Sequence, residues 1–229
     1  MNLGPAGGLL PRPVRRWILH FEAQIEDAVI EFAASLPGGA RILDAGAGEG
    51  QYRQFFPKQR YCGLDLSVGD VSWDYSSIDV RGDLAALPFP DSTFDAALNV
   101  VTLEHVQEPQ RVLCELARTL KPGGKLLIVV PLEWEEHQQP HDYFRFTRFG
   151  IEYLLEKSGF RGIEIRAGGG YFRLLARRLA YAGNFFPVWL AVPVMLVVAI
   201  PVLLLPVLDP LDSRQNFTLG YICSARKPF

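Results

Sequence analysis

Apolar positions recur three or four apart between residues 14 and 36, at Val14, Trp17, Ile18, Phe21, Ile25, Val29 and Phe32. That spacing predicts one helix with a buried face, ended by Pro37-Gly38-Gly39. Beyond it, short apolar runs alternate with helical stretches. Strands are predicted at residues 41–44, 61–65, 78–81, 94–99, 125–130, 162–166 and 216–225. A short helix is expected after residue 50, and longer ones at 110–120, stopped by Lys121-Pro122-Gly123-Gly124, and at 147–159. The fifth strand, K-L-L-I-V-V, is apolar enough to be covered on both faces. Residues 1–13, rich in Gly and Pro, read as a loose arm, and Phe89 in the turn 88–91 as core. This order predicts an α/β protein with a Rossmann-like doubly wound sheet.

The stretch at residues 41–50, R-I-L-D-A-G-A-G-E-G, organises the rest. An apolar strand ends at Asp44 and runs into Gly46, Gly48 and Gly50, which let a ligand approach bare backbone at the first crossover. Such loops serve several ligands, and the two acids decide between them. Asp44 and Glu49 would repel a pyrophosphate, which disfavours a dinucleotide oxidoreductase. They suit a cationic ligand, such as the sulfonium and α-amino group of S-adenosylmethionine. A turn that merely packs strand on helix is the plain structural alternative. Asp65 ends the second strand 19 positions after Gly46, where an acid holds a ribose through paired hydroxyl hydrogen bonds.

Composition narrows the class. The chain has 229 residues, the size of one ordinary domain, and 23 basic against 25 acidic residues give a net charge of -2. That is no electrostatic footprint for nucleic acid, and none is expected as a partner. The three cysteines, Cys62, Cys114 and Cys223, sit in apolar or helical contexts and read as reduced, buried thiols of a cytosolic setting. No Cys/His cluster has zinc spacing, the N-terminus lacks the order of a signal peptide, and no internal repeat is present.

The blocks L-D-A-G-A-G-E-G, G-L-D-L-S, G-D-L-A-A-L-P-F-P-D-S-T-F-D, L-E-H-V and L-K-P-G-G-K-L-L-I-V-V-P occur in this order. Together they resemble the class I S-adenosylmethionine-dependent methyltransferases, in particular the type 11 branch, closely over residues 40–165 and loosely over 217–226. The resemblance implies seven mostly parallel strands with the last antiparallel. It implies a cofactor site made of Asp44, Gly46, Gly48, Gly50, Asp65, Leu66, Asp83, Leu84 and Asn99, with Asp83 accepting from the adenine amino group and Leu84 offering its backbone N–H. His105 and His141 are the candidate catalytic bases, since histidine titrates near neutral pH. Tyr143 and Arg145 are the candidate acceptor contacts, because residues 131–146 form a polar and aromatic loop beyond a central strand. Some metal-assisted relatives carry a glutamate three residues before a Glu-His pair. That position is Val101 here, so no metal is expected at Glu104 and His105, although His137 or His141 might complete such a site.

Residues 185–208 run without one charge, long enough for a membrane crossing. Both flanking strands must rejoin one sheet, and Pro187, Pro193, Pro201 and Pro206 interrupt the run, so a bent or re-entrant form is expected. Before it, Arg173, Arg177 and Arg178 among aromatic and leucine residues suit anionic lipid. A buried dimer or core hairpin is the other reading of this run. The division is therefore residues 1–39 as arm and helix, 40–168 with 216–229 as the methyltransferase domain, and 169–215 as a membrane-associated insertion. The function expected is methyl transfer at the cytoplasmic face of a membrane, by a monotopic or re-entrant protein, possible as a homodimer. Its acceptor would be a small molecule or lipid-linked, a lipid-linked glycan or sugar or an isoprenoid quinone. A non-catalytic cofactor-binding or scaffold protein of a membrane assembly is the alternative.

Overall fold

The computed structural model describes residues 11–70 and 72–229, so most of the expected N-terminal arm lies outside the described residues. The chain divides into two compact units, Asp27–Arg166 with Gly220–Phe229, and Ala167–Leu219 with the described part of Met1–Glu26.

The larger unit holds the sheet. Its strands are β1 (Arg41–Ala45), β2 (Arg60–Asp65), β3 (Val80–Arg81), β4 (Phe94–Val100), β5 (Leu120–Pro131), β6 (Arg161–Ala167) and β7 (Gly220–Arg226). They lie in the order β3-β2-β1-β4-β5-β7-β6. β1 pairs in parallel with both β2 and β4, β4 with β5, and β7 runs antiparallel to β5. This is the expected sheet with the expected reversed last strand. The order turns back between β1 and β4, the switch point where such sheets open a crevice for ligands. Ile42, Leu43, Leu64, Leu98, Leu126 and Ile128 are fully buried, so the central strands form the core.

Local chemistry sets several boundaries. Thr147 caps α4 (Arg148–Lys157) by accepting from the Gly150 N–H at 3.0 Å. α3 (Pro109–Thr119) starts on a proline and buries Val112, Leu113 and Leu116 along one face. β5 begins at Leu120 rather than after the glycines: Leu120 pairs with Phe94, residues 121–124 bulge with Gly123 at φ 75°, and pairing with β4 resumes at Lys125. The helix expected after the glycine loop is a single 3-10 turn, Arg53–Phe55, and β7 starts four residues later than the pattern placed it. Only Cys223 of the three thiols is buried, while Cys114 is exposed and Cys62 half-buried. Phe89 is half-buried, edge-on to Phe94 at 4.9 Å between ring centroids.

The smaller unit corrects two expectations. The N-terminal helix is broken at Leu19 into α1 (Arg12–Ile18) and α2 (His20–Ala34), and α2 runs on into the larger unit. The apolar run forms one uninterrupted helix, α6 (Val188–Leu204), through Pro193 and Pro201, and then a 3-10 turn, Leu205–Leu211. It is not bent back on itself at each proline. Each interior proline removes one helical hydrogen bond, a loss that membrane helices tolerate.

Of the three arginines of α5 (Tyr171–Ala180), only Arg178 is exposed, so they do not line up as the expected lipid-facing basic stripe. Arg177 is 2% exposed and grips both Glu22 oxygens at 2.8 and 2.9 Å. Arg173 meets Asp209 at 3.4 Å and lies over the Trp17 ring. Asp209 and Asp212 also cap α5, accepting from the N–H groups of Gly170, Arg173 and Tyr171 at 2.8 to 3.0 Å. Trp17 Nε1 donates to the Leu203 carbonyl at 3.0 Å, which fixes α1 on α6. Breaking the buried Arg177 pair leaves Glu22 uncompensated. Arg177→Ala is expected to destabilise this unit by about 3 kcal/mol or more, read by urea unfolding, whereas an exposed arginine would cost about 1 kcal/mol at most.

Candidate functional site

The crevice between β1 and β4 is built from strand ends. Gly46, Gly48 and Gly50 all have positive φ (88°, 53° and 72°), which carries the chain out of β1 in a tight loop. A Cβ on Gly46 would fall 2.2 Å from the Thr102 methyl, so glycine there permits Thr102 to close against the loop. Thr102 donates to the Gly46 carbonyl at 3.2 Å, and Asn99 Nδ2 to the Ala45 carbonyl at 2.8 Å. Two side chains from the end of β4 thus hold the glycine loop open at the switch point.

Asp44 is buried at 1% exposure, with Oδ2 accepting from the Tyr61 hydroxyl and Oδ1 without a partner. Burial pushes its carboxyl up to about 7, against the opposing pull of the Tyr61 hydrogen bond. Asn99 Oδ1 is likewise buried and unpartnered. Asp65 is half-buried at the end of β2, one oxygen accepting from Gly48 N at 2.9 Å and the other from Ser67 N at 2.7 Å. Each oxygen keeps a free lone pair, as a ribose ligand requires.

The remaining predicted cofactor residues are spread around this loop. Asp83 is exposed and caps a 3-10 turn by accepting from Ala85 N at 2.8 Å; Leu84 beside it is buried, and Leu66 is 45% exposed. Glu49 is exposed and accepts from Asp74 N at 3.1 Å, so it belongs to the loop's outer rim. Trp73, which pattern reading passed over, packs its ring within 3.3 Å of the Cβ position at Gly48. Tyr61 and Thr102 were also passed over, although both stand at strand ends.

The second cluster lies beyond β4 and β5. Val101, a β-branched residue at φ 52°, turns the chain into the 3-10 turn Leu103–His105. Both the Tyr143 and Phe144 N–H groups donate to the Glu104 carbonyl, at 2.9 and 3.2 Å, which ties the distant loop to this turn. His105 Nδ1 is 2.6 Å from the His141 carbonyl and its Nε2 3.2 Å from His137 Nε2. Its basic nitrogen therefore points into a cluster, and burial lowers its pKa. Glu104 is fully buried, and burial pushes its carboxyl up to about 8. His141 Nδ1 lies 3.1 Å from the Tyr143 hydroxyl, which also receives Gln107 Nε2.

Arg145 departs from the expected acceptor contact. Its N–H groups reach both Asp142 oxygens at 2.6 and 2.8 Å and the carbonyls of Trp134, Phe144 and Glu135. These five bonds use all five guanidinium donors, so Arg145 clamps the loop and has none left for an acceptor. Tyr143, 39% exposed, remains available.

Residues 43–128 match the family model described as a methyltransferase domain. A tRNA (carboxymethyluridine(34)-5-O)-methyltransferase of Arabidopsis thaliana is 32% identical over 57% of this chain and 33% of its own length. A demethylmenaquinone methyltransferase of Renibacterium salmoninarum is 35% identical over 44% of each chain. The chain thus spans less than half the length of these two curated relatives. The fold is shared with Haemonchus contortus phosphoethanolamine N-methyltransferase 2, solved in complex with S-adenosyl-L-methionine. That structure has a TM-score of 0.58 at 20% identity, covering 90% of this chain and 53% of that one. Residues 43–128 thus match a methyltransferase domain, and the seven-stranded sheet around them, mostly parallel with a reversed last strand, has the Rossmann-like fold of such enzymes.

Proposed function

We propose that this protein is an S-adenosylmethionine-dependent methyltransferase that sits on the cytoplasmic face of a membrane and methylates a lipid-borne acceptor. The observation that carries the activity is the glycine loop at the switch point, with the unpartnered oxygens of Asp44 and Asn99 buried behind it. Unpartnered acceptors there fit the cationic end of the cofactor, and the free lone pairs of Asp65 fit its ribose. When bound, the cofactor supplies a methyl group on a positively charged sulfur, open to displacement by an oxygen, nitrogen or carbon nucleophile. The chain's own part is to hold that group in line with the acceptor and to exclude water, from which much of the rate can come. His141, joined to Tyr143 at the half-open loop, is the better placed base, because His105 turns its free nitrogen inward.

Membrane attachment rests on the apolar helix Val188–Leu211, whose most apolar stretch of 18 residues is only 6% buried. Trp189, Leu196, Val197 and Leu204 are 60% to 76% exposed. A lipid surface would cover them at about 2 kcal/mol per side chain. Because β6 and β7 are neighbours in one sheet, the chain leaves and re-enters on one side of the bilayer. Residues 212–219, which carry Asp212 and Arg214 and form no helix, cannot cross hydrocarbon on the way back. The helix therefore lies in the interface. The free thiols fit a reducing compartment. A lipid-borne acceptor agrees with a relative whose name marks it as a quinone methyltransferase. A second copy of the chain, covering the same face, is the competing occupant.

Calorimetry on the full chain tests the cofactor site. Asp65→Ala is expected to weaken S-adenosylmethionine binding by about 2 to 4 kcal/mol, the loss of two charge-assisted hydrogen bonds. Asp44 holds its proton up to about pH 7 in the unliganded fold, and a cation favours the ionised form. Binding below that pH releases the proton, so affinity should climb from pH 5 to pH 7 and then level. Asp44→Asn should remove the climb. Unchanged affinity in Asp65→Ala, with no pH slope in the parent, would take both residues out of the site.

Vesicle sedimentation and labelling test the membrane. Replacing Trp189, Leu196, Val197 and Leu204 with Asp should leave a folded, cofactor-binding protein that no longer sediments with vesicles. Cysteines engineered as Gly183→Cys and Ser213→Cys should both label from the cytoplasmic side. Labelling from opposite sides would mean a true crossing, and a lipid-free dimer abolished by the four Asp changes would mean that a second copy covers the helix.

A further inference from the structure

The second cluster has a chemistry that methyl transfer does not require. Glu104 is fully buried, and neither of its oxygens has a hydrogen-bond partner. Its Oε1 lies 3.6 Å from His105 Nε2 and 3.8 Å from His137 Nε2, and those two nitrogens are 3.2 Å apart. Each ring is oriented from its other side. His105 Nδ1 meets the His141 carbonyl at 2.6 Å, and His137 Nδ1 meets the Glu135 carbonyl at 2.9 Å. A carbonyl oxygen only accepts, so both Nδ1 atoms carry hydrogen, and in the neutral rings both Nε2 atoms present lone pairs. Three lone-pair atoms therefore face one another across a small gap.

We propose that Glu104, His105 and His137 bind one first-row divalent transition-metal ion through these three atoms. A proton shared between the two imidazoles would relieve that one pair but leave the buried carboxylate without a partner. A dication at the centre answers all three. Ligand atoms about 2.0 to 2.2 Å from one ion stand roughly 3 to 3.5 Å apart, so the triangle needs to close by only a few tenths of an ångström. Two imidazoles and a carboxylate select ions such as zinc, cobalt, iron or manganese over magnesium or calcium, which prefer oxygen donors.

The surroundings are those of a supported site. The His137 N–H donates to Asp142 Oδ2 at 2.8 Å, and Arg145 holds both oxygens of Asp142. The left-handed Val101 fixes the turn that carries two of the ligands. Backbone carbonyls behind metal-bound histidines set the tautomer in the same way. Three protein ligands leave at least one position open, beyond the carboxyl ends of β4 and β5. Local spacing cannot reveal the third ligand, because His137 arrives from a loop 32 residues after His105.

The test reads metal binding, so it stands whether or not methyl transfer is found. Full-length protein, freed of metal with a chelator, is titrated with cobalt(II) while the visible absorption bands are followed; zinc is then used to displace it in calorimetry. The expected result is one saturable site per chain. His137→Ala, His105→Ala and Glu104→Gln should each weaken it by about a hundredfold or more, since even supporting residues cost 10- to 100-fold. His141→Ala keeps the carbonyl that orients His105 and should retain the site. Circular dichroism checks folding, and His137→Ala, half-buried on the loop after β5, decides the matter if the buried Glu104 variant unfolds. No saturable cobalt binding, or binding of equal strength in His137→Ala, overturns the proposal.

Discussion

Burying a carboxylate oxygen that no donor reaches costs free energy, and the carboxyl end of this sheet does so at two acids. Asp44 at the end of β1 keeps one oxygen unpartnered, and Glu104, just past β4, keeps both. Burial raises the pKa of each, so part of the cost is met by holding a proton. Much of the local architecture serves to keep these groups where they are. The three positive-φ glycines open the loop before Asp44's side chain can reach water. Thr102 and Asn99 tie that loop to β4, and the strained Val101 turns Glu104 inward. Arg145, with every donor committed, locks the loop after β5. Such an arrangement stores an electrostatic debt that a cationic ligand can settle, and two different cations suit the two acids.

The smaller unit poses the opposite problem, apolar surface that the described residues leave largely exposed. α6 is apolar on all sides, yet its end is anchored by charge. Asp209 and Asp212 cap α5, and Arg173 and Arg177 turn inward to Asp209 and Glu22. The arginines thereby fix the helix's neighbours and leave its own surface bare. A charged lock beside an exposed apolar helix agrees with the proposed surface attachment, since it would hold the helix oriented against lipid.

The sheet was legible because its signals are local. Apolar runs ending in Asp44 and Asp65, with glycines at fixed spacing, placed β1, β2 and the switch point without any tertiary knowledge. The failures share one cause, partners far away in sequence. Helical spacing runs through Leu19 without a break, so the separation of α1 from α2 left no trace in the pattern. Arg177 on α5 reads as a basic face until Glu22, 155 residues earlier, is seen to claim it. Arg145 reads as an acceptor contact until its loop carbonyls are counted. Pro193 and Pro201 read as breaks, yet α6 runs through both, because an apolar helix tolerates the missing bonds. For the site, Asp65 and the glycines were legible, whereas the meeting of Glu104 with His137 depends on how the loop after β5 folds back.

In the proposed function the crevice and the apolar helix serve one reaction, the methylation of something carried in a membrane. The direct measurement is transfer of label from methyl-labelled S-adenosylmethionine into membrane extracts by the purified full chain, with products separated by solvent extraction and identified by mass spectrometry. Label is expected in the organic-soluble fraction, on a lipid-linked sugar or an isoprenoid quinone, and should be lost when the apolar helix carries the four aspartates. Label confined to RNA or to water-soluble small molecules, unaffected by those changes, would contradict the proposed function.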